Sequence, residues 1–100
     1  MLALLMGTTK RLQGISKKGN PYDFYNLQAV WRDDTLGGFS ASPVYTEPLL
    51  FDKCLHPWLS NNGNFPILAN LNFDPQGHMI SLDLLDTTRE DINRFLFGDD

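Results

Sequence analysis

One cysteine, Cys54, is all the thiol this 100-residue chain contains, so no disulfide closes within it and a reducing, cytosolic setting is expected. As a lone thiol in an apolar stretch, Cys54 reads as a small core side chain. Histidine is scarce as well. Cys54 and His56 form a single Cys-x-His pair with no second pair to complete a tetrahedral site, and His78 is distant in sequence, so no metal is expected. Also missing are a G-x-S-x-G elbow, a helical His-Glu motif and a phosphate loop, since Gly37-Gly38 is not followed by Lys-Ser/Thr. These absences argue against an enzyme and against a bound cofactor. Long apolar runs are lacking too: Met1–Met6 reaches Gly7 after six apolar positions, with no positive residue ahead of it. It is too short to span a bilayer and unlike a secretory leader, so no membrane partner is expected.

Positive charge is in deficit overall, with eight Lys and Arg against twelve Asp and Glu and a net charge of −4. Bulk attraction to a polyanion is therefore excluded as a mode of action. The distribution is uneven, however. Up to Arg32 there are five bases (Lys10, Arg11, Lys17, Lys18, Arg32) and one acid, Asp23, whereas from Asp33 onward eleven acids face three bases. A basic third is followed by an acidic remainder.

With 42% hydrophobic and 20% charged residues, the chain has the make-up of one globular domain of the usual size. Its pattern is mainly β. Leu2–Gln13 reads as a long first strand bent or bulged at Gly7, although Met1–Met6 alone also suits a helical turn. A second strand, Tyr22–Arg32, ends in the turn cluster Asp33–Gly38. A third, Phe39–Thr46, contains Pro43 and so belongs at a sheet edge. In Glu47–Ser60 the spacing of Phe51, Leu55 and Trp58 predicts one or two helical turns, with Pro48 at the start and Pro57 ending them early. Asn61–Asn64 reads as a hairpin turn, Phe65–Phe73 and His78–Leu84 as a hairpin around Asp74–Gly77, and a short amphipathic helix follows from about Thr88, capped by Asp86 or Thr87. Three strands, a helical insertion, two strands and a terminal helix suit a five-stranded OB-type barrel or a similar small barrel.

The most distinctive stretch is Gly14–Leu27. Two glycines bracket Lys17 and Lys18, placing both ammonium groups at a loop tip, and Asn20-Pro21 leads out into extended chain. From there the residues alternate, with Tyr22, Phe24, Asn26, Gln28 and Val30 on one face and Asp23, Tyr25, Leu27, Ala29 and Trp31 on the other. The first face offers rings and amides where a solvated strand would carry Thr or Lys. Flat rings beside a basic loop are what single-stranded nucleic acid requires, rings for bases and cations for phosphates. Lys10, Arg11, Lys17, Lys18 and Arg32 are thus candidate phosphate contacts, Tyr22 and Phe24 candidate stacking residues, and Asn26 and Gln28 candidate polar contacts to base or sugar.

The run Gly14-Ile-Ser-Lys-Lys-Gly-Asn-Pro-Tyr22-Asp-Phe24 resembles the first hairpin of the gene V-like, helix-destabilising single-stranded-DNA-binding proteins of filamentous bacteriophages, whose early segment has the form G-x-S-x-K-G-N/K-P-Y. The likeness spans about a dozen positions and touches Lys17, Lys18, Tyr22 and Phe24. It implies an OB-type barrel that forms a homodimer and coats single-stranded DNA cooperatively during replication in the bacterial host cytosol. This chain differs from the pattern in its acidity and in its longer middle, Glu47–Asn64. The acidic end at Asp99-Asp100 offers a contact for a replication-protein partner. A reading of another class is a small acidic interaction module, a regulator or DNA mimic, acting on a host protein through the Phe39–Thr46 edge and the acidic C-terminus.

Overall fold

The structure, a computed structural model, describes residues 1–35 and 37–98. It is mainly β: an antiparallel six-stranded sheet with three short helices. The strands are β1 (Leu2–Thr8), β2 (Leu12–Ile15), β3 (Pro21–Asp33), β4 (Gly38–Thr46), β5 (Ile67–Phe73) and β6 (Met79–Leu84), and the helices are α1 (Pro48–Cys54), α2 (His56–Ser60) and α3 (Arg89–Phe97).

The expected long first strand is two strands, and both pair with β3. The register slips by one residue between Leu5 and Gly7, where the bend was expected. A second slip follows. From Thr8 to Leu12 the chain advances four positions while its partner on β3 moves three, from Leu27 to Phe24. Thr9 spans this interruption by exchanging hydrogen bonds with Asn26, its N–H donating to the Asn26 carbonyl at 3.0 Å and its hydroxyl accepting from the Asn26 N–H at 3.0 Å. Each extra residue steepens the local twist and turns β2 away from β1.

Five strands are expected from the pattern; six are present, in a mainly β sheet that is not closed. β4 is hydrogen-bonded only to β3 and β6 only to β5 among the described residues, so the two outer strands approach without pairing. Pro43 on β4 has no N–H to offer a second neighbour, which suits the edge position the sequence gives it. Pro66 likewise has no donor, and β5 begins at Ile67 instead of Phe65.

One face of the sheet, with Ala3, Leu5, Leu27, Ala29, Ile67, Ala69, Leu71 and Leu82, buries its side chains against Phe51 of α1 and Leu55. Tyr25 of β3 stacks on Phe51 with ring centroids 3.7 Å apart and planes within 4°. Pro57 starts α2 instead of simply ending α1, because Leu55 holds helical dihedrals between the two and Pro57 falls where no N–H is needed. Asn61–Asn64 is not a hairpin turn. It leads from α2 to β5, and the Gly63 N–H donates to the Trp58 carbonyl at 2.9 Å. On the opposite face, Leu4 and Leu68 are buried in register with one another, and α3 crosses nearby with Phe95 against Phe39. The cap of α3 is Thr88, not Asp86 or Thr87: Thr88 and Asp91 form a reciprocal capping box. The Thr87 hydroxyl is instead committed to the Leu68 N–H and the Leu85 carbonyl. The C-terminal pair Asp99-Asp100 lies outside the described residues.

Candidate nucleic-acid interface

β2 and β3 form a hairpin whose tip is Ser16–Asn20. The Gly19 N–H donates to the Ser16 carbonyl at 2.9 Å, the Ser16 N–H donates to the Asn20 carbonyl at 2.8 Å, and the Asn20 N–H reaches the Ser16 hydroxyl at 3.2 Å. Gly19 takes φ +82°, the left-handed region that closes short hairpin loops and that residues with a Cβ resist. The geometry leaves Lys17 and Lys18 as the exposed central pair of the turn.

Below the tip, the outer face of β3 carries the expected rings. Gly14 is opposite Tyr22 in the ladder, and a Cβ at Gly14 would collide with the Tyr22 ring and hydroxyl. The glycine therefore serves as a seat that lets the hydroxyl end of the Tyr22 ring pack over the backbone of β2. Tyr22 remains 43% exposed. It contacts Phe24 at 5.9 Å between ring centroids, and Phe24 is stacked on Tyr45 at 5.0 Å with an interplanar angle of 27°. Tyr45 stands opposite Asn26 in the β3–β4 ladder and is 47% exposed. Three rings thus form a row, Tyr22 and Phe24 on β3 and Tyr45 on β4. Sequence reading finds two of them; Tyr45 is missed because its place beside Phe24 depends on the register between β3 and β4.

The cations do not gather as the sequence suggests. Lys17 and Lys18 are at the tip, whereas Lys10 and Arg11 lie at the foot of β2, a strand length of about 13 Å away. Arg11 is engaged: its Nε and Nη2 donate to the two carboxylate oxygens of Asp23 at 2.7 and 2.6 Å, a bidentate pair. Asp23 alternates with Tyr22 and Phe24, so this pair belongs to the other face of the hairpin. The bonds from Arg11 hold the Asp23 carboxyl below its ordinary range, against a smaller opposing effect of desolvation, and the same contact pushes the Arg11 guanidinium still further above neutrality. Arg32 is farther off still, ten residues along β3 from Tyr22, on the order of 30 Å. There its Nη2 donates to the Phe95 carbonyl at 3.1 Å and its guanidinium lies 5.3 Å from the Phe39 ring centre. Asn26 and Gln28 share the aromatic face, Gln28 exposed and Asn26 half-buried.

The site brings together Lys17, Lys18, Tyr22, Phe24 and Asn26, with Tyr45 added, and leaves Arg32 apart. Among the described residues, no three His, Cys, Asp or Glu side chains are placed to share a metal ion, and no helix is long and apolar enough to cross a membrane. No known family model, curated protein or solved structure matches this chain.

Proposed function

We propose that this protein binds single-stranded DNA with little sequence preference, through the Lys17-Lys18 tip and the aromatic face of the β2–β3 hairpin, on an OB-type curled sheet. The observation that carries the reading is the exposed ring of Tyr22, seated on Gly14 directly below two solvated lysines. Ammonium groups there bind phosphate as point charges, and a ring presenting one face to water accepts any base, since every base has a π-face. Coating of single strands during phage or mobile-element replication, and pairing of two copies, belong to this proposal and derive from the resemblance of the Gly14–Phe24 run.

The test is a titration of fluorescein-labelled oligo-dT, read by anisotropy at several salt concentrations, with a duplex of equal length in parallel. Tight, salt-sensitive binding to the single strand alone is expected. Lys17→Ala with Lys18→Ala weakens it and lowers the salt slope by about 1.4, at about 0.7 per phosphate contact on a single strand. Tyr22→Ala weakens it with the slope unchanged. A double lysine variant with wild-type affinity and slope sinks the assignment.

The open edge of β4 favours a second reading, in which a partner protein adds a strand alongside Phe39–Thr46. Indifference to single-stranded DNA together with saturable protein binding would select it.

A further inference from the structure

The aromatic row does not stop at Phe24. One face of Phe24 is covered by Tyr45, so Phe24 is a spacer and the exposed ring at this end of the row is Tyr45. Beside Tyr45 lies a cleft of about 320 Å³, at the seam where the edge strand β4 faces the β5–β6 turn without hydrogen-bonding to it. Met1, Trp31, Ser42, Pro43, Tyr45 and Phe73 line it. No charged side chain lines it, and the α-ammonium of Met1, which also borders it, donates to the Leu71 carbonyl at 2.8 Å, while three flat aromatic side chains and a proline ring converge on the cleft. Its lining suits a planar, uncharged group with polar edges, and its volume is at the small end of ligand clefts.

Resting on the reading above, we propose that the nucleic-acid strand crosses the sheet from the Lys17-Lys18 tip over Tyr22 and Phe24 to Tyr45, and that one unpaired base enters the seam cleft against Tyr45, Trp31 and Phe73. The path runs down β3 from the tip and over onto β4, and Arg32 lies beyond it, near the far end of β3. Continuity selects the occupant: the cleft opens at the end of a row of rings whose other end is at the basic tip. A paired base cannot enter, so the cleft adds to the rejection of duplex.

Tyr45→Leu and Phe73→Leu keep apolar bulk at half-exposed positions and remove the π-face. Each is expected to weaken oligo-dT binding about tenfold with an unchanged salt slope. Tyr45→Phe, which retains the ring, binds like wild type. In a Trp58→Phe background, the emission of Trp31 is quenched when oligo-dT binds. If both leucine variants bind as wild type while Lys17→Ala/Lys18→Ala and Tyr22→Ala remain weakened, the cleft is not on the path and the inference falls alone. If Tyr45→Phe is as weak as Tyr45→Leu, the hydroxyl acts and stacking does not, which also overturns it. Failure of the wild-type protein to bind oligo-dT overturns this inference and the functional reading together.

Discussion

Arg11 shows how register decides the role of a side chain. Counted along the sequence it is one of the bases of a basic segment; with Gln13 opposite Asp23 in the ladder, Arg11 at the foot of β2 reaches the Asp23 carboxylate diagonally and becomes half of an ion pair on the face away from the rings. The sequence contains both residues but not the pairing, because how far Arg11 lies from Asp23 is set by the β2–β3 register and by the extra residue between Thr8 and Leu12. Alternation, in contrast, is local, and it places Tyr22, Phe24, Asn26 and Gln28 on one face without any knowledge of partners. The pair has a pH signature. The folded-state pKa of Asp23 is depressed, so its contribution to stability is complete above the unfolded value of about 3.9 and is lost as pH falls through the folded one. Asp74, held by N–H groups of its own turn, and Asp91, in the capping box, act with the same sign. Thermal stability is expected to decline on acidification below about pH 4, and Asp23→Asn to make that decline shallower. An NMR titration provides a direct check: in Arg11→Ala the Asp23 carboxyl should titrate higher than in wild type. An unchanged titration would mean that the bidentate contact is absent in solution.

Among the elements, α3 tests how far local chemistry and tertiary packing separate. Its amphipathic pattern and its approximate start are legible in the sequence, while its cap is not. Three candidates in a row, Asp86, Thr87 and Thr88, are all suitable residue types, and the choice is made by Leu68, whose N–H claims the Thr87 hydroxyl. No residue of α3 is fully buried, so the helix depends on its capping box and on partial cover from Phe95 and Leu96 more than on a core of its own. Thr88→Ala removes one cap bond, at a cost of about 1 kcal/mol. The expected outcome is local: amide exchange across α3 rises about fivefold while exchange in β1 and β5 is unchanged. A uniform rise across the sheet would show instead that α3 and the sheet open as one unit. The same separation explains the split first strand, since no turn residue or proline interrupts Thr8–Gln13 and only the ladder to β3 shows the two slips.

For the whole molecule, the sequence indicates the mainly β class and the helical insertion after Thr46, because those rest on periodicity and on proline positions. Closure of the sheet is not legible in it, since whether two edges meet depends on accumulated twist and bend and not on any single residue. What results is a core between one sheet face and α1–α2, with the β2–β3 hairpin projecting beyond it. The radius of gyration, 14.7 Å, exceeds the roughly 13 Å usual for 100 residues, and no residue from Lys10 to Tyr22 is fully buried. The functional reading benefits from this shape, because the hairpin can be altered without touching the core. Two tryptophans view that core from opposite sides, Trp31 from the sheet and Trp58 from α2, where it meets Phe65 edge-on at 5.1 Å. If sheet and helices form one cooperative unit, single-tryptophan variants (Trp31→Phe and Trp58→Phe) report the same urea midpoint as far-UV circular dichroism, once each variant's own stability is allowed for. Leu5, fully buried where β1 meets both β3 and β5, then provides the perturbation: Leu5→Ala should destabilise by about 2–5 kcal/mol. Both probes should shift together in that background. A shift seen by Trp31 and not by Trp58 would divide the molecule into a sheet and a helical layer that unfold separately, and Lys17→Ala/Lys18→Ala, lying outside both, should move neither.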